Sequence, residues 1–98
     1  MKDGFDLSLL EQMTETLRAI AHPLRLAIIE MLYLHKKMTV TEIHEALDIE
    51  QAVVSHHLRI MKDRNVVQVK REGKSSIYSL TLEEYYVVYE VMMKSCKK

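Results

Sequence analysis

Hydrophobic residues between positions 7 and 35 recur every three or four residues, a spacing that predicts two amphipathic helices. The first helix begins near Leu7, where Asp6 is suited to the N-cap position. The second begins at Pro23, a residue favoured in a first helical turn, and ends near Leu34. The apolar stripes contain Leu10, Met13, Leu17 and Ile20 in the first helix, and Leu24, Ala27, Ile28, Met31 and Leu32 in the second.

A polar break at residues 35–37 separates these helices from a shorter third one. Thr39 and Glu42 have the spacing of a capping box, which predicts a helix from that point to about Leu47. After a short turn, residues 50–65 again show helical periodicity and form a fourth predicted helix. Its apolar face consists of Val54, Leu58 and Met61.

A short helix, a tight turn and a longer helix form a helix-turn-helix, which these patterns place at residues 39–65. After Asn65 the period changes from helical to alternating, and a loop containing glycine separates two β-prone runs. Residues 66–80 are therefore predicted to form a two-stranded wing. Its tip carries one acid, Glu72, and the three cations Lys70, Arg71 and Lys74.

The C-terminal segment is predicted to be a helix over residues 82–96, because Thr81 and Glu84 have the spacing of a second capping box. This helix is apolar on nearly all sides, and a chain of 98 residues is too small to surround it. We therefore predict a homodimer built on this helix and on the helix at residues 7–20. The alternative is a final helix buried within one monomer, with a few apolar residues left exposed. The predicted dimer interface contains Leu10, Met13, Leu17, Tyr85, Tyr86, Val88, Tyr89, Met92 and Met93.

These elements predict a mainly α protein with a small β-hairpin, a dimeric winged helix-turn-helix in the order α-α-α-α-β-β-α. The chain has 48% hydrophobic residues, one proline, two glycines and no evident repeat or linker. This composition indicates a single domain over residues 1–98.

Charge is unevenly distributed along the chain, although 14 Lys and Arg balance 14 Asp and Glu. Residues 1–49 contain five cations and eight acids, whereas residues 50–75 contain six cations and three acids. Positive charge is therefore concentrated in the fourth helix and the wing, the pattern of a local nucleic-acid footprint on an otherwise neutral protein.

The polar face of the helix at residues 50–65 suits the major groove of double-stranded DNA, because Gln can pair with adenine and Arg with guanine. A solvated amphipathic face has the same periodicity, so the helix alone does not decide between the two interpretations. Its direct connection to a basic hairpin favours DNA. The candidate DNA-binding residues are Gln51, Ser55, His56, Arg59 and Lys62 in the helix, and Lys70, Arg71 and Lys74 in the wing.

The N-terminus has no secretory leader, and the longest apolar run is too short to cross a bilayer. We therefore expect a cytoplasmic protein with no membrane partner. The lone Cys96 has no intrachain partner for a disulfide, which fits a reducing compartment. A single-cysteine redox response, favoured by neighbouring lysines, is an alternative to an incidental exposed thiol.

Three motifs, in their order along the chain, resemble the ArsR/SmtB family of bacterial winged-helix repressors: Ile20-Ala-His-Pro-Leu-Arg-Leu-Ala-Ile-Ile-Glu-Met-Leu32, Val54-Ser-His-His-Leu58 and Arg71-Glu-Gly-Lys74. The resemblance implies a dimeric repressor that binds an operator of imperfect two-fold symmetry and is released by a signal. It also implies that the fourth helix contacts DNA through Gln51, Ser55 and His56. The wing would contact the DNA backbone through Arg71 and Lys74.

Three other positions of the fourth helix refine this expectation. Arg59 is included because of its place on the polar face, not because of the resemblance. Ala52 stands where the family often has a hydroxyl residue, so one phosphate contact is expected to be missing. His57 projects toward the apolar face and is expected to be a packed or capping histidine.

Many proteins of this family sense metals, but this sequence lacks the residues of the two common sites. The third helix has no cysteine, and no histidine follows His57. A site built from His44, Glu45 or terminal residues would lack the compact ligand set that a sensor needs. We expect no metal and no cofactor, and the sequence does not identify an inducer.

Two other classes of function fit the sequence less well. An enzyme is not expected, because Ser55, His56 and His57 point about 100° apart in succession around a helix and do not face one another. A winged-helix module used only for protein contacts is the stronger alternative. The cations of the fourth helix and the wing argue against it, and alanine at Arg59 would distinguish it from a DNA-binding protein.

Overall fold

The computed structural model describes residues 4–97. The predicted domain of residues 1–98 also includes residues 1–3 and 98, which lie outside the described part. Within the described part, none of the helices is long and apolar enough to cross a membrane. The elements of residues 4–97 are α1 (Leu7–Ile20), α2 (Pro23–His35), β1 (Lys37–Thr39), α3 (Val40–Leu47), α4 (Gln51–Asp63), β2 (Val67–Glu72), β3 (Ser75–Leu80) and α5 (Tyr85–Cys96).

The first three helices each begin with a side-chain cap. The Asp6 carboxylate accepts a hydrogen bond of 3.1 Å from a backbone N–H of α1, as predicted. Thr39 and Glu42 form both hydrogen bonds of the predicted capping box of α3, at 3.1 and 2.8 Å. His22 caps α2, since its Nδ1 accepts a hydrogen bond of 3.1 Å from the Leu24 N–H. This cap was not predicted.

The core lies between α2, α3, α4 and the start of β2. The predicted apolar face of α4 is fully buried, and each aliphatic side chain removed from water in this way contributes about 1.5–3 kcal/mol. Helix α1 adds Ala19 and Ile20 to the buried set, while most of its apolar stripe lies outside. The most deeply buried side chains are Ile28, Ile29, Leu32, Ile43, Val54, Leu58, Met61, Val66 and Val67.

The sheet has three antiparallel strands in the order β1-β3-β2, one more than the predicted two-stranded wing. Strand β1 pairs with the outer edge of β3, where Met38 lies opposite Tyr78. Its three residues are too few to show an alternating pattern. Because Met38 is buried in the core, β1 also attaches the wing to the body of the domain.

The final helix begins at Tyr85, and the capping box predicted at residues 81–84 is wrong. The Thr81 hydroxyl donates a hydrogen bond to the Asn65 carbonyl, and the Val66 carbonyl lies 3.1 Å from it. The Glu84 side chain makes no capping hydrogen bond to any residue in the described part of the chain. Thr81 therefore fastens the end of β3 to the segment that follows α4, instead of starting a helix.

Candidate nucleic-acid interface

Helix α4, the second helix of the helix-turn-helix, presents a polar outer face to solvent. Its five candidate DNA-binding residues are all exposed. At 3.6 residues per turn, four of them fall within about 80° of arc, and His56 lies roughly 60° further round the helix. The row that runs along the axis consists of Gln51, Ser55, Arg59 and Lys62.

The turn before α4 leaves the start of that helix open. Asp48 adopts a left-handed conformation with φ of 54°, and the Ile49 N–H donates to the His44 carbonyl at 3.1 Å. Glu50 occupies the N-cap position, but its side chain makes no capping hydrogen bond. Uncapped N–H groups and the helix dipole favour a negative charge at this end of α4.

His57 lies on the inner face of α4 and is packed, as predicted, with only 7% of its surface exposed. Its ring centroid lies 4.2 Å from that of His22, and its Nδ1 is buried without a hydrogen-bond partner among residues 4–97. Burial lowers the pKa of His57, and repulsion from His22, Arg25 and His56 lowers it further. His57 therefore supports the helix and does not face a ligand.

The wing is the β2–β3 hairpin, closed by a two-residue loop at Gly73 and Lys74. Gly73 has a φ of 61°, a left-handed conformation that glycine adopts without strain. The three candidate cations of the wing are all exposed. Because side chains alternate along a strand, Lys70 and Arg71 project from opposite faces, and Arg71 shares the face on which Val67 packs into the core.

A cleft of about 420 Å³ joins α4 to the wing. Gln51 of α4 and Lys74 of the wing line it, together with the start of α3. The structure thus brings together two candidate residues from separate elements, while the other six lie outside the cleft. It also adds hydroxyl groups suited to phosphate that charge and periodicity did not single out, on Thr41, Ser75 and Ser76.

Helices α1 and α5 expose apolar side chains in the single chain. Met13 and Leu17 are 52% and 54% exposed, and Met92 and Met93 are 46% and 40% exposed. Leu10, Tyr85 and Val88 of the predicted interface are half-buried. A groove of about 590 Å³ runs between α1, α5 and the end of α4, with apolar walls formed by Leu9, Met13, Leu17, Ile20, Tyr85 and Val88.

Two residues predicted to lie in the dimer interface make contacts within their own chain. Tyr86 stacks on Tyr33 of α2, with ring centroids 3.9 Å apart and planes 3° from parallel, and Tyr89 stacks on Tyr86 at 5.3 Å. The Lys36 ammonium lies 4.8 Å from the centre of the Tyr33 ring and 2.9 Å from the Glu83 carboxylate. The stack of Tyr86 on Tyr33 holds α5 against α2. The place of Tyr86 and Tyr89 in a dimer interface stays a prediction.

Metal and thiol chemistry have few candidate residues here. In residues 4–97, no group of three or more His, Cys, Asp or Glu side chains is arranged to hold a metal ion. Cys96 is an exposed free thiol at the last residue of α5. The expected lack of a metal site stays a prediction.

An exposed helix joined to a basic wing on a helical core defines a winged helix-turn-helix protein, as predicted. Residues 22–69 match the family described as "Bacterial regulatory protein, arsR family". The chain is 41% identical over 71 residues to the transcriptional repressor PagR of Bacillus anthracis, covering 72% of this chain and 71% of PagR. The protein belongs to the ArsR family of DNA-binding transcriptional regulators. This membership confirms the resemblance and the prediction of a regulator instead of an enzyme.

Other relatives agree with this assignment. The regulator NmtR of Mycobacterium tuberculosis is 41% identical over 69 residues, which cover 70% of this chain but only 57% of NmtR. The crystal structure of PagR superposes with a TM-score of 0.79 at 33% identity, over 89% of this chain and 99% of that one. A homodimeric winged helix-turn-helix DNA-binding domain from Mycobacterium bovis superposes with a TM-score of 0.80 at 23% identity, over 99% and 91% of the two chains, which shows a shared fold.

Proposed function

We propose that the protein is a homodimeric repressor that binds an operator of imperfect two-fold symmetry through α4 and the wing. The observation that carries this proposal is the cleft that both Gln51 of α4 and Lys74 of the wing line. A helix in the major groove and a wing on the adjacent backbone would place these two residues on one stretch of DNA.

The exposed positive charges support a limited number of contacts with the DNA phosphate backbone. Lys62, Lys70, Arg71 and Lys74 are exposed around the proposed interface, and the chain as a whole is neutral. Each phosphate neutralised adds about 0.9 to the slope of log affinity against log salt concentration. A few contacts per protomer therefore give a moderate salt dependence, so that base contacts contribute a substantial share of the affinity.

The dimer is supported by the apolar side chains that α1 and α5 leave in solvent, including Met13 and Leu17. A second copy of the chain packed on these helices would remove the apolar side chains from water. The likeness to a domain from Mycobacterium bovis that is homodimeric is consistent with this arrangement. Two recognition helices would then enter major grooves about 34 Å apart.

The operator would be occupied in the cytoplasm and released by a signal that acts on the α1–α5 interface. A ligand can couple to DNA binding only through different affinities for two dimer geometries. We infer that this signal is not a metal bound at either common family site, since the third helix has no cysteine and no histidine follows His57.

Fluorescence anisotropy tests the proposal directly. The purified protein would be titrated into the DNA upstream of its own gene and into a scrambled duplex, across a salt series. A parallel selection from random duplexes covers an operator located elsewhere. We expect tight binding to one sequence with two half-sites. Weak, steeply salt-sensitive binding to every duplex, with nothing enriched, would leave only non-specific attraction and contradict the proposal.

A further inference from the structure

Arg64, the residue that follows α4, joins that helix to α1. Its Nη2 donates a hydrogen bond of 3.0 Å to the Gln12 carbonyl and lies 3.4 Å from the Thr16 hydroxyl. In the described part of the chain, α1 has no other side-chain hydrogen bond to a different helix or strand. We propose that Arg64 is a positioning residue that fixes the angle of α4 relative to the dimerisation helices, an inference that rests on the proposed function.

The geometry of the contact between Arg64 and α1 restrains the orientation of α4. The Thr16 hydroxyl itself donates to the Gln12 carbonyl at 3.1 Å, so the two groups that meet Arg64 are already held together on consecutive turns of α1. The guanidinium is planar and presents its donors in a rigid fork. The Arg64 side chain is half-buried, and this packing limits the positions that its guanidinium can take.

Arg64 lies at the opposite end of α4 from the residues that begin the DNA-facing row. Helix α4 has 13 residues and is therefore about 20 Å long. A tilt of roughly 5° about the Arg64 end would displace the Gln51 end by roughly 2 Å. A hydrogen bond to a base edge tolerates only a few tenths of an ångström around its usual length of about 2.9 Å, so such a tilt would break it.

The side of α1 that Arg64 contacts is close to the proposed dimer interface. Gln12 and Thr16 line the groove between α1 and α5, and so do Met13 and Leu17, which are more than half exposed. Arg64 closes the same groove from the α4 side. A change in how α1 packs against a second copy would therefore act on α4 through this side chain, in addition to the core packing of Ile20.

Loss of the Arg64 contact should affect binding to one half-site and binding to two half-sites differently. A protomer on an isolated half-site can shift as a whole until α4 fits the groove. In a dimer, both recognition helices have to fit at once, at a separation set by the interface. Loss of the Arg64 contact should therefore weaken binding to a complete operator and spare binding to a single half-site.

The test uses the full chain and the duplex selected above, both complete and with one half-site scrambled. Arg64→Ala should weaken binding to the complete duplex at least tenfold, a ratio near the lower end of the range expected for a charged hydrogen bond. Its affinity for the half-site duplex and its dimer dissociation constant, measured by sedimentation, should match those of the unsubstituted protein. Arg64→Lys keeps the charge without the fork and should be intermediate.

Two further variants keep the result interpretable. Thr16→Val removes one acceptor from the other side of the contact and should reproduce a smaller loss on the complete duplex, even if Arg64→Ala does not fold. Arg59→Ala, at a residue proposed to touch DNA, should weaken binding to both duplexes.

Equal losses of Arg64→Ala on the two duplexes would make Arg64 an ordinary DNA contact and overturn the inference. So would a loss fully explained by a weaker dimer, or no loss at all together with unchanged Thr16→Val. If the unsubstituted protein selects no duplex, the proposed function itself fails, a result that is distinct from these three.

Discussion

Positions close together along α4 alternate between solvent and the buried interior, and the helical period determines which side chains are exposed and which are buried. Arg59 points into solvent, whereas His57, two residues earlier, is 7% exposed and packs against His22. A substitution at position 59 should therefore change DNA binding and leave the fold intact, and one at position 57 should do the reverse.

Arg59→Ala is expected to lower operator affinity by about 1–3 kcal/mol, because a guanidinium on the reading face can bond two acceptors of a guanine. Anisotropy titrations at a single salt concentration measure the loss. Lys94→Ala is a matched control, since it removes one exposed positive charge from α5, away from the proposed DNA interface. Equal effects of the two substitutions would show that only overall charge matters.

His57 should make folding stability depend on pH. Burial, with repulsion from His22, Arg25 and His56, lowers its pKa in the folded state below the ordinary value of 6.5. The unfolded chain therefore binds the proton more readily, and stability should fall as pH drops below about 6.5. Urea unfolding at neutral and mildly acidic pH would measure the difference.

The matched pair for this experiment is His57→Gln and His35→Gln. The first substitution removes the buried titrating group and should flatten the pH dependence. The second makes the same chemical change at an exposed histidine and serves as the control. If both variants keep the full dependence of the parent protein, another group is responsible.

Residue roles that depend on distant partners were not predictable in this way. The periodicity of α4 placed its exposed and buried residues correctly, including the packed His57. Arg64 bonds to Gln12, 52 positions earlier, and Thr81 bonds to Asn65, 16 positions earlier. No local spacing encodes such pairs, and for that reason Thr81 was misinterpreted as a helix cap.

At the scale of elements, prediction succeeded where a helix carries its own signals. Local caps and apolar spacing located α1 to α4. Strand β1 was missed, because three residues at a polar break acquire their structure from the free edge of β3. Likewise, the cleft that brings Lys74 to Gln51 requires the wing to fold back on α3, which no single element specifies.

The start of α3 allows a quantitative test at this scale. Thr39→Ala removes the hydroxyl that accepts from the Glu42 N–H, and should destabilise the protein by about 1 kcal/mol. The Thr39 N–H also donates to the Glu42 carboxylate, which lowers the pKa of that carboxyl. Urea unfolding monitored by circular dichroism at neutral pH would measure the change.

Thr41→Ala is the control for this substitution. Thr41 lies two residues further along the same helix, is exposed, and has no side-chain hydrogen bond in the described part of the chain. The same chemical change there should leave stability nearly unaltered. A loss as large as that of Thr39→Ala would mean that α3 depends on the hydroxyls generally, and not on the capping box.

At the scale of the whole molecule, the zero net charge and the exposed apolar surface both favour binding to DNA as a dimer. A chain with no net charge gains little from long-range attraction to DNA, so under the proposed function the binding of two half-sites together would add substantially to the affinity from base contacts. Leu17→Glu places a charge on the exposed apolar side of α1 and tests this directly. A symmetric dimer would lose two buried leucines, about 3–6 kcal/mol, and dissociate at least a hundredfold more readily.

Leu34→Glu makes the same change at a leucine that is 60% exposed, against 54% for Leu17, but lies on α2 outside the proposed interface. Sedimentation should therefore find a monomer for Leu17→Glu and a dimer for Leu34→Glu. Affinity for the complete operator should fall to the affinity for a single half-site only in the first variant, while both variants should bind a half-site equally. A dimeric Leu17→Glu would remove α1 from the interface, and a monomer that still binds the complete operator tightly would show that two-fold recognition is not the source of affinity.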